Sequence, residues 1–126
     1  MSGVDVEAAV RTFMRAAGQG EADGNPGVSD LRLALLEEEY TEFLEALRWG
    51  DDVFIAKEAC DLVYVVVGTL IERGIPFNEV FAALQQSNMT KVGPDGQVTK
   101  REDGKILKGE NFRPAEDFIR TILEQK

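Results

Sequence analysis

From Val53 to Arg73 the chain reads VFIAKEACDLVYVVVGTLIER, and no other stretch constrains its fold as strongly. The run Val-Tyr-Val-Val-Val would also suit a strand. Its uninterrupted length favours a helix, and RGIP just beyond supplies a Gly-Pro stop. A helix that is apolar nearly all round is expected to be buried. Yet Glu58 and Asp61 sit in it one turn apart, with Phe54, Ile55, Leu62, Val65 and Thr69 around them. Carboxylates in such surroundings must be protonated, paired or metal-bound. Lys57, Arg48 and Arg73 are the nearby bases, and none is placed in the sequence to pair with both acids.

The preceding segment, LLEEEYTEFLEAL at 35–47, holds five glutamates and no lysine or arginine. Like charges one turn apart on a helix cost roughly 0.2–0.5 kcal/mol per pair, so such crowding suggests a cationic partner. With Glu38 set at zero on a helical wheel, Glu42 falls near 40° and Glu39 near 100°. Leu33, Leu36, Tyr40, Phe43 and Leu47 fall at about 140–220° and form the expected core stripe. Leu31, Leu35 and Ala46 interleave with the acids, so the acidic face is not purely solvent-like. If this helix packs antiparallel to the next, Glu38, Glu39 and Glu42 face Glu58 and Asp61. Carboxylates converging without imidazole or thiolate describe a hard-cation site, for Mg²⁺ or its substitute Mn²⁺. The sequence has no histidine, which removes His-ligated zinc and the Glu-x-x-His iron bundles.

The rest of the chain is read as helices joined by Gly-rich loops. Val6, Val10, Phe13, Met14 and Ala17 mark an amphipathic helix over 4–17. Ser29 or Asp30 can cap the helix at 31–48, and Asp51 or Asp52 the one that follows. PFNEVFAALQQSN reads as a fourth helix, 92–114 as an irregular Gly-, Pro- and charge-rich stretch, and AEDFIRTILEQK as a short closing helix. The fold class is therefore all-α: a helical bundle of four to five helices, one domain over 1–126. Apolar surface wider than one stripe, notably on 53–73, is expected to be completed by oligomerisation, at least to a dimer.

Composition narrows the partners. A net charge of -9 argues against nucleic-acid polymers and anionic membranes. The single cysteine, Cys60, allows no intrachain disulfide. No signal peptide is expected, and the apolar run at 62–71 is too short for a bilayer, so a cytoplasmic location is the expectation.

Glu38-Glu39-x-x-Glu42, fifteen intervening residues and Glu58-x-x-Asp61 resemble the signature of the all-α nucleotide pyrophosphohydrolases. These are the MazG-like enzymes, related to phosphoribosyl-ATP pyrophosphohydrolase and the all-α dUTP pyrophosphatases. FMRAAGQ before the acidic helix, and ACDLVYVVVGTLIERGIPFNEVF, SNMTKV and GKILKG after it, extend the similarity over about residues 10–118. The resemblance implies hydrolysis of a nucleotide between its α and β phosphates. It implies Glu39, Glu42, Glu58 and Asp61 as Mg²⁺ ligands, and Glu38 as the residue that orients or deprotonates the attacking water, or a further ligand. It tips Lys105 and Lys108 toward phosphate contact, in a stretch that otherwise reads as plain surface. Family members form dimers, or tetramers made of two dimers.

Other positions stay open. Asn88 could read base or ribose, or simply end its helix; Lys91 could meet phosphate or remain a solvated charge. Trp49 could stack a base or plug a helix end, Tyr64 is core or interface, and Phe112 and Pro114 are expected against a neighbouring subunit. GQVTKREDGKIL is no P-loop, since Ile106 stands where Ser or Thr should follow the lysine. The preferred function is Mg²⁺-dependent hydrolysis of a nucleoside triphosphate, a deoxynucleoside triphosphate above all, in nucleotide-pool house-cleaning. The alternatives are phosphoribosyl-ATP pyrophosphohydrolysis and a non-catalytic nucleotide- or metal-sensing helical oligomer.

Overall fold

The structure is a computed structural model and describes residues 3–19 and 30–125. Five helices run in order: α1 (Val6–Ala16), α2 (Asp30–Trp49), α3 (Asp52–Glu72), α4 (Phe77–Met89) and α5 (Ala115–Glu124). Among the described residues there is no strand, only an isolated bridge between Lys100 and Ile106. The all-α expectation holds, and Val53–Arg73 is helical almost to its last residue. The chain divides into two compact units, Met1–Phe77 and Asn78–Lys126.

Local chemistry sets the helix ends of the first unit. Asp5 caps α1 by accepting from Ala8 N–H at 3.1 Å, and Asp51 caps α3 by accepting from Phe54 N–H at 3.1 Å. Ser29, one of two candidate caps for α2, lies outside the described residues, as does most of the Gly-rich loop; Asp30 is itself the first helical residue. Past α3, Gly74 takes φ 74°, while Ile75 N–H reaches Leu70 O and Gly74 N–H reaches Ile71 O. This is the glycine-terminated motif that RGIP signals.

Two glycines let α2 and α3 pair closely as an antiparallel hairpin. At the corner, a Cβ on Gly50 would lie 2.9 Å from Ala46 O and 3.1 Å from Phe54 Cβ. At the far end, a Cβ on Gly68 would lie 2.9 Å from Arg32 Nη1. Arg32, only 6% exposed, donates from Nε to Glu72 at 2.7 Å and from Nη2 to Gln19 at 3.2 Å. This cross-link fixes the register of the two helices. Arg32→Met would leave Glu72 half-buried without that donor and should destabilise the protein by roughly 2–3 kcal/mol. A urea midpoint unchanged from the parent would rule the cross-link out as a stabilising element.

The core of this unit lies between α1 and the second half of α3. Val10, Met14, Val67 and Ile71 are fully buried, with Phe77 packed against them. Here one sequence expectation fails. The stripe expected to be the α2 core is largely open: Leu33, Tyr40 and Leu47 are all more than half exposed, while Leu36 and Phe43 are half-buried. The buried α2 residues are Arg32 and Ala46, on the side that carries Glu39. The wheel identified an apolar stripe, but burial within this chain follows α3, and α3 presents its carboxylates to the acidic side of α2. Within this one chain α3 also leaves Val53, Phe54, Val63 and Val66 exposed.

In the second unit, the end of α4 is tied to the segment entering α5. Ser87, 3% exposed, donates to Arg113 O at 2.7 Å, and Arg113 N–H donates to Thr90 Oγ1 at 2.9 Å. Between them, residues 99–107 form a small turn-back held by Arg101 N–H to Lys105 O and Leu107 N–H to Thr99 O. No helix among the described residues is long and apolar enough to cross a membrane.

Candidate active site

Antiparallel pairing brings the acids of α2 and α3 together. One oxygen from each of Glu39, Glu58 and Asp61 lies within 4.8 Å of the other two. At that spacing, and at an effective permittivity of about 20, two full charges repel by about 3 kcal/mol or more. Burial adds to the cost: the Glu58 side chain is 14% exposed and Asp61 37%. Glu39 Oε2 and Glu58 Oε2 are both fully shielded and receive no hydrogen bond.

Desolvation, and then the charges of Asp61, Glu58 and Glu38, raise the Glu39 pKa above the ordinary glutamate range. Glu42 is raised as well, by desolvation first, then by the Glu39 charge and by a hydrogen bond with the Glu58 carboxyl. Glu42 thus borders the three-residue group without being one of it. Glu38 is exposed beside them, and its charge acts on both Glu39 and Glu42.

One base does reach both α3 acids, contrary to the sequence reading. Lys57 Nζ lies 2.7 Å from Asp61 Oδ2 and 3.5 Å from Glu58 Oε1. Its four-carbon stem spans one turn to Asp61 while passing Glu58, which a position count alone misses. The lysine is 64% exposed, and the two orphan oxygens stay unpartnered beside it. One solvent-exposed ammonium does not neutralise several half-buried carboxylates. Oxygens converging from three acids, two of the acids with an unpartnered oxygen and no imidazole or thiolate among them, have the donor chemistry of a hard divalent cation site.

Beside the acids opens a cleft of about 330 Å³ lined by Glu42, Glu45, Ala46, Trp49, Phe54 and Glu58. Trp49 is 84% exposed and Phe54 57%. That exposure removes the helix-plug reading of Trp49 and leaves an aromatic edge next to the carboxylates. Phe54 in this position was not singled out by sequence; the Gly50 corner, which folds the start of α3 back toward Trp49, is the signal that could have found it.

The basic residues belong to the second unit. Lys91, half-buried, places Nζ 5.9 Å from the centre of the Phe112 ring, and Lys108 places its own at 5.0 Å. Lys105 is exposed on the turn-back and joins no such contact; its N–H donates to Asp103 Oδ1 at 3.2 Å. Arg101 is paired with Asp103, whose carboxyl it holds below the usual range. Asn88 is exposed at the end of α4, where its carbonyl accepts from Lys91 N–H at 3.1 Å. The structure therefore unites Lys91 with Lys108 on one ring, with Asn88 a turn before Lys91, while Lys105 has no contact with that ring. Phe112, expected against a neighbouring subunit, is engaged by lysines of its own chain. A cavity of about 460 Å³ alongside is lined by Thr90, Lys91, Thr99, Gly109, Glu110 and Asn111, among others.

A sequence profile of the family described as phosphoribosyl-ATP pyrophosphohydrolase matches residues 19–88, which include both acid-bearing helices. The chain is also similar to the crystal structure of a candidate NTP pyrophosphohydrolase from Exiguobacterium sp. 255-15. The two share 20% identity at a TM-score of 0.50, over 98% of this chain and 97% of that one. At that identity the likeness speaks for the fold alone. Among curated proteins none matches the chain.

Proposed function

Because the chain belongs to the phosphoribosyl-ATP pyrophosphohydrolase family and is an enzyme of the pyrophosphohydrolase kind, we propose that its substrate is a nucleoside triphosphate, a deoxynucleoside triphosphate in particular. The products are the monophosphate and pyrophosphate, and the task is the removal of surplus or unwanted nucleotides. The observation that carries this reading is the group formed by Glu39, Glu58 and Asp61, with two buried oxygens lacking any donor.

Glu39, Glu42, Glu58 and Asp61 are the residues that would hold Mg²⁺, or Mn²⁺ in its place. Bound there, the ion would offset the charge of the phosphates and of the leaving pyrophosphate and make a nearby water more acidic. Glu38 orients that water and accepts its proton, being a carboxylate open to solvent beside the ligands. Trp49 and Phe54 offer the base an aromatic wall. Asn88 contacts base or ribose, and Lys91, Lys105 and Lys108 contact phosphate.

The matched family's description favours a second reading, with phosphoribosyl-ATP as substrate. One experiment separates the readings: incubate the protein with Mg²⁺ and each common ribo- and deoxyribonucleoside triphosphate, and with phosphoribosyl-ATP, then analyse the phosphorus products. Pyrophosphate with deoxynucleoside monophosphate supports the first reading. Turnover of phosphoribosyl-ATP alone supports the second. Orthophosphate would mean another bond is cut, and no turnover at all would point to a nucleotide or metal sensor.

The exposed stripe of Leu33, Tyr40 and Leu47, with Val53, Val63 and Val66 on α3, supports assembly into at least a homodimer, and a tetramer fits equally. Isolated apolar residues on a surface are ordinary, but contiguous ones mark interfaces. Light scattering at micromolar concentration should give twice the chain mass of 13.9 kDa or more. A monomer there would overturn this part.

A further inference from the structure

We propose that Phe112 is a positioning residue, whose ring gathers Lys91 and Lys108 into a clamp for the pyrophosphate portion of the substrate. The proposal rests on the reading of those two lysines as phosphate contacts. Two ammoniums that approach one ring repel each other, and the ring face offsets this by attracting both. Here the centroid distances are 5.9 and 5.0 Å. Neither lysine ammonium has a hydrogen bond or ion pair with any other described residue, so both charges remain available to a ligand. In a chain of net charge -9, such a held pair suits a compact polyanion.

The ring is fixed from both sides by local chemistry. Its neighbour Arg113 is clipped to the end of α4 by Ser87 and Thr90, one residue before Lys91. The Arg113 guanidinium lies 4.9 Å from the centre of Phe118, which anchors the same residue to α5. On the other side, Phe112 N–H donates to Gly109 O at 3.2 Å, and this turn folds Lys108 back toward the ring. Ser87, Thr90 and Lys91 are part of SNMTK, and Lys108 ends GKILK. The two sequence motifs thus meet through an aromatic residue that belongs to neither.

The test measures binding of inorganic pyrophosphate by calorimetry, in chelator, with no turnover involved. Phe112→Leu keeps the apolar bulk and loses the π face. It should weaken binding roughly tenfold, about as much as Lys91→Gln or Lys108→Gln. Phe112→Trp should stay within about twofold of the parent, and melting temperatures should be unchanged in both. In a Lys91→Gln/Lys108→Gln background, Phe112→Leu should have no further effect. With a hydrolysed nucleotide, Phe112→Leu should raise KM roughly tenfold at nearly constant kcat.

Unchanged binding in Phe112→Leu, an additive loss in the triple variant, or no pyrophosphate binding by the parent would each overturn the proposal. If Phe112→Leu fails to fold, Phe112→Trp and Phe112→Tyr decide: a tenfold loss in either one refutes it. Should the parent bind pyrophosphate in this way yet hydrolyse no nucleotide, the clamp stands and the enzymatic substrate reading fails.

Discussion

Glu58→Gln should lower kcat/KM by at least about a hundredfold, or about 2.7 kcal/mol of barrier, while the metal-free protein becomes no less stable. The side chain sits where α2 and α3 converge: one oxygen belongs to the three-carboxylate group, and Oε2 is buried without a donor. Glutamine has nearly the same shape and no charge. It removes one cation ligand, and its NH₂ can donate to a neighbouring carboxylate such as Glu42, whose carboxyl the Glu58 charge helps to raise. In chelator the change relieves repulsion, whereas in Mg²⁺ it costs affinity and the charge that the reaction needs. Glu37→Gln is the control, an exposed glutamate of α2 that contributes to neither raised carboxyl. Equal activity of parent and Glu58→Gln at saturating Mg²⁺ would remove Glu58 from the ligand set. A sharply lowered melting temperature in chelator would instead give it a structural role.

The sequence reached the acids but not their surroundings, for identifiable reasons. Helical periodicity places Glu39 and Glu42 on one face of α2 and Glu58 and Asp61 on one face of α3, because spacing of three and four residues is a property of the helix itself. The ends of α3 were equally legible, since an aspartate cap and a glycine stop act through neighbouring backbone groups. Which side of α2 is buried was not. The stripe of Leu33, Tyr40 and Leu47 outranks the opposite side in hydrophobicity, yet Arg32 and Ala46 are the buried residues. The deciding contacts are Arg32 to Glu72 and the close approach at Gly68, forty and thirty-six positions away from Arg32, and no local pattern announces them. The meeting of Lys91 with Lys108 on Phe112 has the same origin. It depends on Ser87 and Thr90 holding Arg113 across the intervening loop, a side-chain bond to a backbone whose position only the fold supplies.

In chelator, the first unit should become more stable as pH is lowered from 7 toward 5, and Mg²⁺ should reverse that trend. The carboxyls of Glu39 and Glu42 are raised by desolvation and by their acidic neighbours. The native state then binds more protons than the unfolded chain between the ordinary glutamate value, about 4.3, and the raised ones. Unfolding free energy changes with pH in proportion to protons bound by the unfolded chain minus protons bound by the native one. That difference is negative here, so stability falls as pH rises through the interval. The contribution is fully present below the ordinary value and lost above the raised one. Asp103, held low by Arg101, has the opposite sign, but it acts below the ordinary aspartate value and so outside this window. A divalent ion binds only the ionised carboxylates, so its stabilisation grows with pH and opposes the protonation trend. At one hundred times its Kd it adds about 2.7 kcal/mol, or roughly 10 °C in Tm for a chain of this size. Trp49 is the single tryptophan and lines the cleft with Glu42 and Glu58, so its fluorescence reports melting of this unit. Glu39→Gln should flatten the metal-free slope by removing one of the two raised groups. A parent whose metal-free melting temperature falls steadily from pH 7 to 5 would contradict the buried, unneutralised carboxylates on which the cation site depends.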